Sequence, residues 1–422
     1  MATTKVLVVG AGPGGLTAAM ILARHGCEVT VLEKEARVGG RNAAIVAGDY
    51  RFDLGPTFLM MKGLLEEVFE LAGRRVEDYL DIVSLDPLYR LVFADGREFL
   101  PTRDRNAMRE QIARIFPGNV AGYERFLAYE AKKLERLVPC LKLPYSSPAH
   151  LLRPTLLRAL PYLDAHKSLH AHLAGYFDAE ELRLSFTFQA KYLGMSPWKC
   201  PALFSMIALM EHSQGIHHPI GGLNQISLAM ARVVEEHGGT IRLSTPVEQV
   251  LVQNGEAQGV RLADGEELRA DHVVLNADFG YAMERLLPPG TVRKWAPDRL
   301  ERKGISCSTF MIYLGVDRQY ESLPHHSILF ARDYKRNVDD IAERLVLSED
   351  PSVYVQNASV TDPTLAPEGH STIYLLVPVA NNRSHIDWER EQDRYRDLAV
   401  RLAEERGGFA DLSKHIVVER RI

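Results

Sequence analysis

The 422 residues carry 55 acidic against 50 basic side chains, a net charge of -5, with 46% apolar and 25% charged residues. That is the balance of a soluble globular protein long enough for two or three domains, and it leaves no basic excess to recruit nucleic acid as a partner. Cys27, Cys140, Cys200 and Cys307 stand far apart without a Cys-x-x-Cys pair, which speaks against a disulfide framework or structural zinc and predicts a cytoplasmic, reducing location.

Residues 6–33, VLVVGAGPGGLTAAMILARHGCEVTVLE, read as strand, glycine turn, helix and strand. The apolar run 6–9 suits a strand buried on both faces rather than a cleaved leader, and no stretch is long enough to span a bilayer. Gly10, Gly12 and Gly15 come next with the spacing G-x-G-x-x-G, interleaved with Ala11, Pro13 and Gly14. The first glycine permits a tight turn, the second lets a pyrophosphate approach the backbone, and the third lets helix and strand pack closely. The helix start then offers unpaired N–H groups and the positive end of its dipole to phosphates. Leu16, Met20 and Ala23 recur at helical spacing, and Gly26 stands where a helix ends. Glu33 closes the unit, where a carboxylate accepts from both hydroxyls of an adenosine ribose and disfavours a 2'-phosphate, so NADP is not expected.

The residues beyond Glu33 separate FAD from NAD. Residues 34–41, KEARVGGR, bring Lys34 and a second glycine pair, Gly39-Gly40, with Arg41. A hairpin comes next, 43–46 turning at Gly48-Asp49 into 50–52, and leads into Asp53-Leu54-Gly55-Pro56-Thr57. A nicotinamide enzyme would move straight into another βαβ unit. The R-x-G-G-R and F-D-x-G-P-T elements together resemble the flavin-containing amine oxidase superfamily, and more closely its bacterial carotenoid desaturase branch, the phytoene desaturases. The resemblance implies that Gly39, Gly40 and Arg41 lie along the pyrophosphate and ribityl chain of FAD, and that Gly55, Pro56 and Thr57 approach the isoalloxazine. Glycines allowing backbone approach and an arginine with a planar fork of donors agree with that in kind.

Further along, 64–73 is an amphipathic helix ended by a glycine, and 81–100 reads as paired strands, with 89–93 and 98–100 joined at Asp95-Gly96. Asp104 and Asn119 are expected N-caps of helices reaching about Ile115 and Val138. Residues 139–176 are rich in proline, leucine, arginine and histidine, with Asp164 almost their only acid. On a helical wheel Leu151, Leu152, Leu156, Leu160 and Leu163 share half the circumference, with Arg153 and Arg158 at its margins. Pro154 and Pro161 predict short kinked segments there, lying either on a bilayer surface or on the protein's own core. His166 and His170 have metal-ligand spacing on a helix but lack a third ligand, so they read as a solvated basic face and no metal is expected.

Residues 176–189 and 201–212 read as helices around Tyr192-Leu-Gly-Met-Ser-Pro-Trp198, and Gly221-Gly222 open a further helix over 223–237. The Y-L-G-x-S-P segment and the P-x-G-G turn resemble the desaturase pattern, in which that helix returns to the flavin domain; a helix start needing a tight turn is the plainer account. Glu211 and His212 precede this turn and read as a polar pair at a helix end; no catalytic residue is assigned. Residues 240–278 are β-rich, with hairpins at Asn254-Gly255 and Asp264-Gly265. The resemblance gives Val247 a backbone contact to adenine and brings Asn276 and Ala277, at the end of strand 272–278, close to the cofactor. Residues 305–316, 353–358 and 372–379 are strand-like, and 387–405 is a charged amphipathic helix.

The expected fold is α/β: a Rossmann-like FAD-binding domain (1–78 and 213–290), a second, mixed β-sheet substrate domain (79–103 and 291–422) and a helical, membrane-facing subdomain (104–212). Relatives continue with a glycine- and proline-rich flavin-binding turn and a final helix, so the carboxy-terminal portion of the FAD domain is expected to be missing from these residues. The resemblance implies hydride transfer from an allylic carbon of a long polyprenyl hydrocarbon, phytoene or diapophytoene in type, to FAD, with a quinone or oxygen as electron acceptor. Such a substrate lies in lipid, so peripheral association with the inner face of the cell membrane is expected. An isomerase or saturase of the same fold and a prenyl-binding carrier are the alternatives.

Overall fold

The computed structural model describes residues 3–422, apart from the side chain of Pro297. The chain divides into two compact units, one made of Met1–Ser84, His217–Ile305 and Thr364–Pro367, the other of Leu85–Ile216, Ser306–Pro363 and Glu368–Ile422. Residues 1 and 2 of the expected first domain lie outside the described residues.

The first unit is built on a four-stranded parallel sheet in the order His272–Leu275, Lys5–Val9, Glu28–Leu32, Thr240–Arg242. Lys5–Val9 occupies the interior of that sheet, and its two-residue period divides its side chains between two cores. Val6 and Val8 face helices Pro13–Arg24 and Asn224–Glu236, packing with Leu16, Met20, Met230 and Val233. Leu7 and Val9 face the opposite side, where Val250, Val260 and Leu262 come from an antiparallel meander over Val247–Gln253, Glu256–Leu262 and Glu267–Arg269. Each such aliphatic side chain contributes about 1.5–3 kcal/mol by leaving water. The expected hairpins form: Ala47 pairs with Tyr50 across Gly48-Asp49, and Gln253 with Glu256 across Asn254-Gly255.

The second unit holds a seven-stranded mixed sheet, ordered Ile416–Arg421, Ser308–Val316, Ser371–Val379, Val353–Asn357, His326–Leu329, Arg90–Val92, Glu98–Phe99. Helix Trp388–Glu405 covers one face, burying Leu398, Ala399 and Leu402 against Ile312, Leu314 and Leu375. Strand Ile82–Ser84 does not join the neighbouring strands as expected. It belongs to the first unit, where it pairs with His217–Pro219, because a three-residue strand is placed by its partner rather than by its neighbours in sequence.

The helical part of this unit departs from expectation in several places. Asp104 caps helix Arg105–Ile115 through the amides of Asn106 and Ala107. Asn119 precedes helix Val120–Leu141 but does not cap it. Its Nδ2 donates to the carbonyls of Phe116 and Pro117, and its Oδ1 accepts from the amide of Asp178, so it fastens two loops instead. That helix runs past Val138 and carries Pro139 in its last turn. Residues 176–189 are not one helix. They break into Glu180–Ser185 and a 3-10 stretch over Phe188–Leu193, the latter ending at Gly194 in the left-handed region. The kinked segments are present as a 3-10 turn Pro148–Leu152, a helix Pro154–Ala159 and a second 3-10 turn Leu160–Tyr162. Changing helix type at each proline rotates the faces away from a single wheel: Leu156 and Leu163 are half-buried, while Leu151, Leu152, Leu157 and Leu160 are exposed.

A buried ion cluster ties these segments down. Lys133, with no exposed surface, donates from Nζ to Glu130 Oε1 at 3.0 Å and Ser205 Oγ at 2.9 Å and pairs with Asp164 Oδ2 at 3.0 Å. His172 Nε2 lies 2.9 Å from Glu130 Oε1, and Tyr129 donates to Asp164 at 3.0 Å. Burial alone would push the Asp164 carboxyl up, but the Lys133 ammonium outweighs it and the group sits below the usual range.

Candidate active site

The glycine turn of the first unit lies between strand Lys5–Val9 and helix Pro13–Arg24, with Pro13 at the first helical position. Gly10 has φ +101°, and a Cβ on Gly15 would lie 2.1 Å from the Gly10 carbonyl oxygen, so no side chain fits at either residue. Gly39 and Gly40 fold onto this turn. The Gly39 amide donates to the Ala11 carbonyl at 2.8 Å, and a Cβ on Gly40 would stand 3.5 Å from the Gly12 Cα. The two glycine elements, separate in sequence, form one cradle of bare backbone. Gly14 is exposed at its rim.

Glu33 is buried at the end of its strand. Its Oε2 accepts from the Ala11 amide at 2.7 Å and its Oε1 from the Glu35 amide at 2.9 Å. Each oxygen keeps a lone pair for a further donor, which two ribose hydroxyls would supply. Lys34 next to it is exposed, with Nζ 3.7 Å from Glu35. Arg41 is exposed and pairs with Asp278 at 2.8 Å. A capping bond from the Tyr281 amide, joined by the Arg41 guanidinium, overcomes burial and holds the Asp278 carboxyl below its ordinary value. A Cβ on Gly55 would lie 3.0 Å from the Arg41 carbonyl, so Gly55 and Pro56 run beside the arginine, and Thr57 is buried. Val247 pairs with Leu262 just after Thr245, whose amide donates to the Glu33 carbonyl at 2.7 Å.

Asn276 enters the site by its side chain as well as by its backbone. Its amide donates to the Val9 carbonyl at 2.8 Å, while its Nδ2 lies 3.5 Å from the Gly10 carbonyl and within 3.1 Å of where a Cβ on Gly12 would be. Ala277 beside it packs against the meander core. Three residues that the sequence did not single out hold the cradle in place. Asp53 Oδ1 accepts from the Leu223 amide at 2.7 Å, and Asn42 and Asn224 donate from their side chains to the Leu223 and Asn42 carbonyls at 2.8 and 2.9 Å. The signal was available in F-D-x-G-P-T and P-x-G-G, since a buried Asp opposite a glycine pair is a helix-start acceptor waiting for its donor.

Glu211 and His212 do lie near the end of a helix, Met206–Gln214 of the second unit, and there they are buried rather than open to solvent. Tyr89 donates to Glu211 Oε2 at 3.0 Å and Gln189 Nε2 to the same oxygen at 2.8 Å. Burial pushes the Glu211 carboxyl up to about 7 and pulls the His212 imidazole down to about 4. His170, the other notable histidine, meets Glu180 at 3.0 Å and stacks on Trp198. Among the described residues no cluster of three metal-binding side chains forms, and no helix is long and apolar enough to cross a membrane.

A family model described as flavin containing amine oxidoreductase matches residues 13–403. The chain belongs to this family. Within it, this flavin containing amine oxidoreductase stands with the carotenoid desaturases. It is 47% identical over 421 residues to a 4,4'-diapophytoene desaturase (4,4'-diapolycopene-forming) of Methylomonas sp, covering 100% of this chain and 82% of the relative. It is 40% identical over 420 residues to a zeta-carotene-forming phytoene desaturase of Myxococcus xanthus, covering 99% and 80%. The cyclohexylamine oxidase of Brevibacterium oxydans shares the fold at a TM-score of 0.60 and 19% identity, over 100% of this chain and 84% of that one. The oxidoreductase uses FAD, and the chain's own residues fit it: a backbone cradle that any Cβ would fill, an arginine at its edge and a buried carboxylate with lone pairs to spare.

Proposed function

We propose that this flavin containing amine oxidoreductase is a desaturase of a long polyprenyl hydrocarbon of the phytoene or diapophytoene type, acting in carotenoid biosynthesis. The observation that carries the reading is the 47% identity to a diapophytoene desaturase, over 100% of this chain and 82% of that relative, joined to an intact glycine cradle. FAD supplies hydride acceptance when bound. The turn Gly10, Ala11, Gly12, Pro13, Gly14 and Gly15 would let its pyrophosphate approach bare backbone, Glu33 would take the ribose hydroxyls and Lys34 would flank them. Gly39, Gly40 and Arg41 would lie along its pyrophosphate and ribityl chain, Val247 would meet its adenine, and Asn276 and Ala277 would lie close beside it. Gly55, Pro56 and Thr57 would approach the ring. A quinone or oxygen takes the electrons away. Expression in cells that accumulate phytoene or diapophytoene tests the function: new pigment with an extended polyene spectrum is expected, and unchanged hydrocarbon would overturn it.

The substrate reaches the enzyme from lipid. Burying each CH2 from water is worth about 0.8 kcal/mol, so a chain of about thirty carbons or more resides in the bilayer and access becomes the obstacle. The exposed leucines 151, 152, 157 and 160 form the docking face, with Arg158 among them and Leu141, 72% exposed, ahead of them. Each basic side chain near an anionic leaflet adds about 1 kcal/mol. Leu152→Ser combined with Leu160→Ser is expected to abolish co-sedimentation with anionic vesicles while leaving the circular dichroism spectrum unchanged. Retained binding would remove the docking face from this segment.

A further inference from the structure

An open aromatic and basic surface begins at Asp278, the partner of Arg41, and all of it belongs to the first unit. Asp278 caps the short turn Phe279–Tyr281, whose two rings leave 50% and 52% of their surface open. Trp295, half-buried in the segment that follows, meets the Phe279 ring edge-on at 5.0 Å. Two ammonium groups lie over the Trp295 ring, Lys294 Nζ at 5.1 Å and Lys303 Nζ at 6.0 Å from its centroid. Val292, whose carbonyl accepts from the Trp295 amide at 3.0 Å, and Ile305 are exposed as well. Scattered apolar side chains on a surface need no explanation, but open rings in mutual contact with lysines laid over them form a patch. Residues 279–305 hold six basic against three acidic side chains, in a chain whose net charge is -5. Asp298 is engaged by Arg302 at 2.8 Å, whereas Arg293, Lys294 and Arg299 are exposed and have no carboxylate partner among the described residues.

We propose that this face of the first unit binds the surface of an anionic phospholipid bilayer, with Phe279 and Trp295 entering the headgroup boundary and Arg293, Lys294 and Lys303 meeting lipid phosphates. A protein partner would select against lysine at such a patch, because an ammonium group is costly to desolvate between two proteins. A headgroup layer favours the mixture found here. Tryptophan and tyrosine rings are at home where hydrocarbon meets water, and a lysine can lay its alkyl stem on a ring while its ammonium group stays among phosphates and water. Apolar burial and attraction to anionic lipid then add together. The surface is distinct from the leucine segment of the second unit, and it does not depend on the identity of the hydrocarbon. A few rings and charges hold a bilayer loosely, so this contact alone is not expected to keep the chain in a vesicle pellet once Leu152 and Leu160 are replaced, and an equilibrium readout is required.

Trp295 supplies that readout. The other two tryptophans are engaged elsewhere, Trp198 stacked on His170 and Trp388 on Phe310. The full chain carrying Leu152→Ser and Leu160→Ser, which removes the other docking segment, is titrated to high lipid concentration at low salt with vesicles brominated on their acyl chains. Phosphatidylglycerol vesicles are expected to shift the tryptophan emission to the blue and quench it, phosphatidylcholine vesicles to do neither, and added salt to reverse the quenching. Trp295→Phe should remove the quenching with the circular dichroism spectrum unchanged. Arg293→Gln and Lys294→Gln should each raise the lipid needed for half-maximal quenching about fivefold. Emission that brominated phosphatidylglycerol leaves unquenched, quenching that survives Trp295→Phe, or equal quenching by phosphatidylcholine would overturn the proposal. So would a concentration-dependent dimer that shields Trp295 and dissociates in Trp295→Phe, which would give the face to a second copy of the chain. A chain that is quenched as expected yet forms no new pigment would overturn the desaturase reading and leave this surface standing.

Discussion

The two units handle polarity in opposite ways. In the first, the functional groups are mostly backbone, arranged by glycines within one βα turn and a nearby loop, and its key carboxylate Glu33 is satisfied by amides two and twenty-two residues away. In the second, polar side chains are carried into the interior on separate segments and satisfied by one another: Glu211 by Tyr89, 122 residues distant, and Lys133 by Ser205, 72 residues distant. A backbone cradle is assembled as soon as its strand and helix pack. A side-chain cluster exists only when the whole unit is closed, so its loss is a loss of stability as well as of chemistry.

The largest effect is expected at Lys133. Lys133→Met leaves the buried Glu130 and the half-buried Asp164 without their cation, and a cost of about 3–5 kcal/mol is expected in denaturant unfolding. A change below about 1 kcal/mol would mean that the cluster is not a structural tie.

The buried pair Glu211 and His212 makes stability depend on pH. Because burial raises Glu211 to about 7, its share of the stability is present below the unfolded value near 4.5 and is lost as pH rises through 7. Because burial lowers His212 to about 4, its share is present above 6.5 and is lost as pH falls through 4. Between these limits the two trends oppose each other, each worth about 3 kcal/mol. Glu211→Gln is therefore expected to expose the histidine trend, losing about 3 kcal/mol on acidification from pH 6.5 to 4, where the wild type changes little. Parallel curves for the two proteins would show that the groups do not titrate as a buried pair.

The smallest effect is expected in the first unit. Glu33→Gln keeps one acceptor oxygen but turns the other into a donor facing the Ala11 or Glu35 amide and the ribose. A loss of about 1–3 kcal/mol in FAD affinity is expected by flavin fluorescence titration, with less than about 1 kcal/mol lost from apoprotein unfolding. Equal losses in both would mean that Glu33 serves the turn rather than the cofactor.

Sequence alone determined the elements whose signals are local. The Gly10, Gly12 and Gly15 spacing, the hairpins at Gly48-Asp49 and Asn254-Gly255, the Asp104 cap and the helix after Gly221-Gly222 all depend on backbone angles and short-range hydrogen bonds, which a few consecutive residues dictate. Tertiary structure alone decided the rest. It brought the Asp53 carboxylate to the Leu223 amide, laid the Asn276 side chain over the glycine turn, turned Leu157 outward and Leu156 inward, and buried Glu211 between two phenols and a side-chain amide. Burial of a polar group is favourable only when distant partners complete its hydrogen bonds, and no periodicity along the chain records which partners those are.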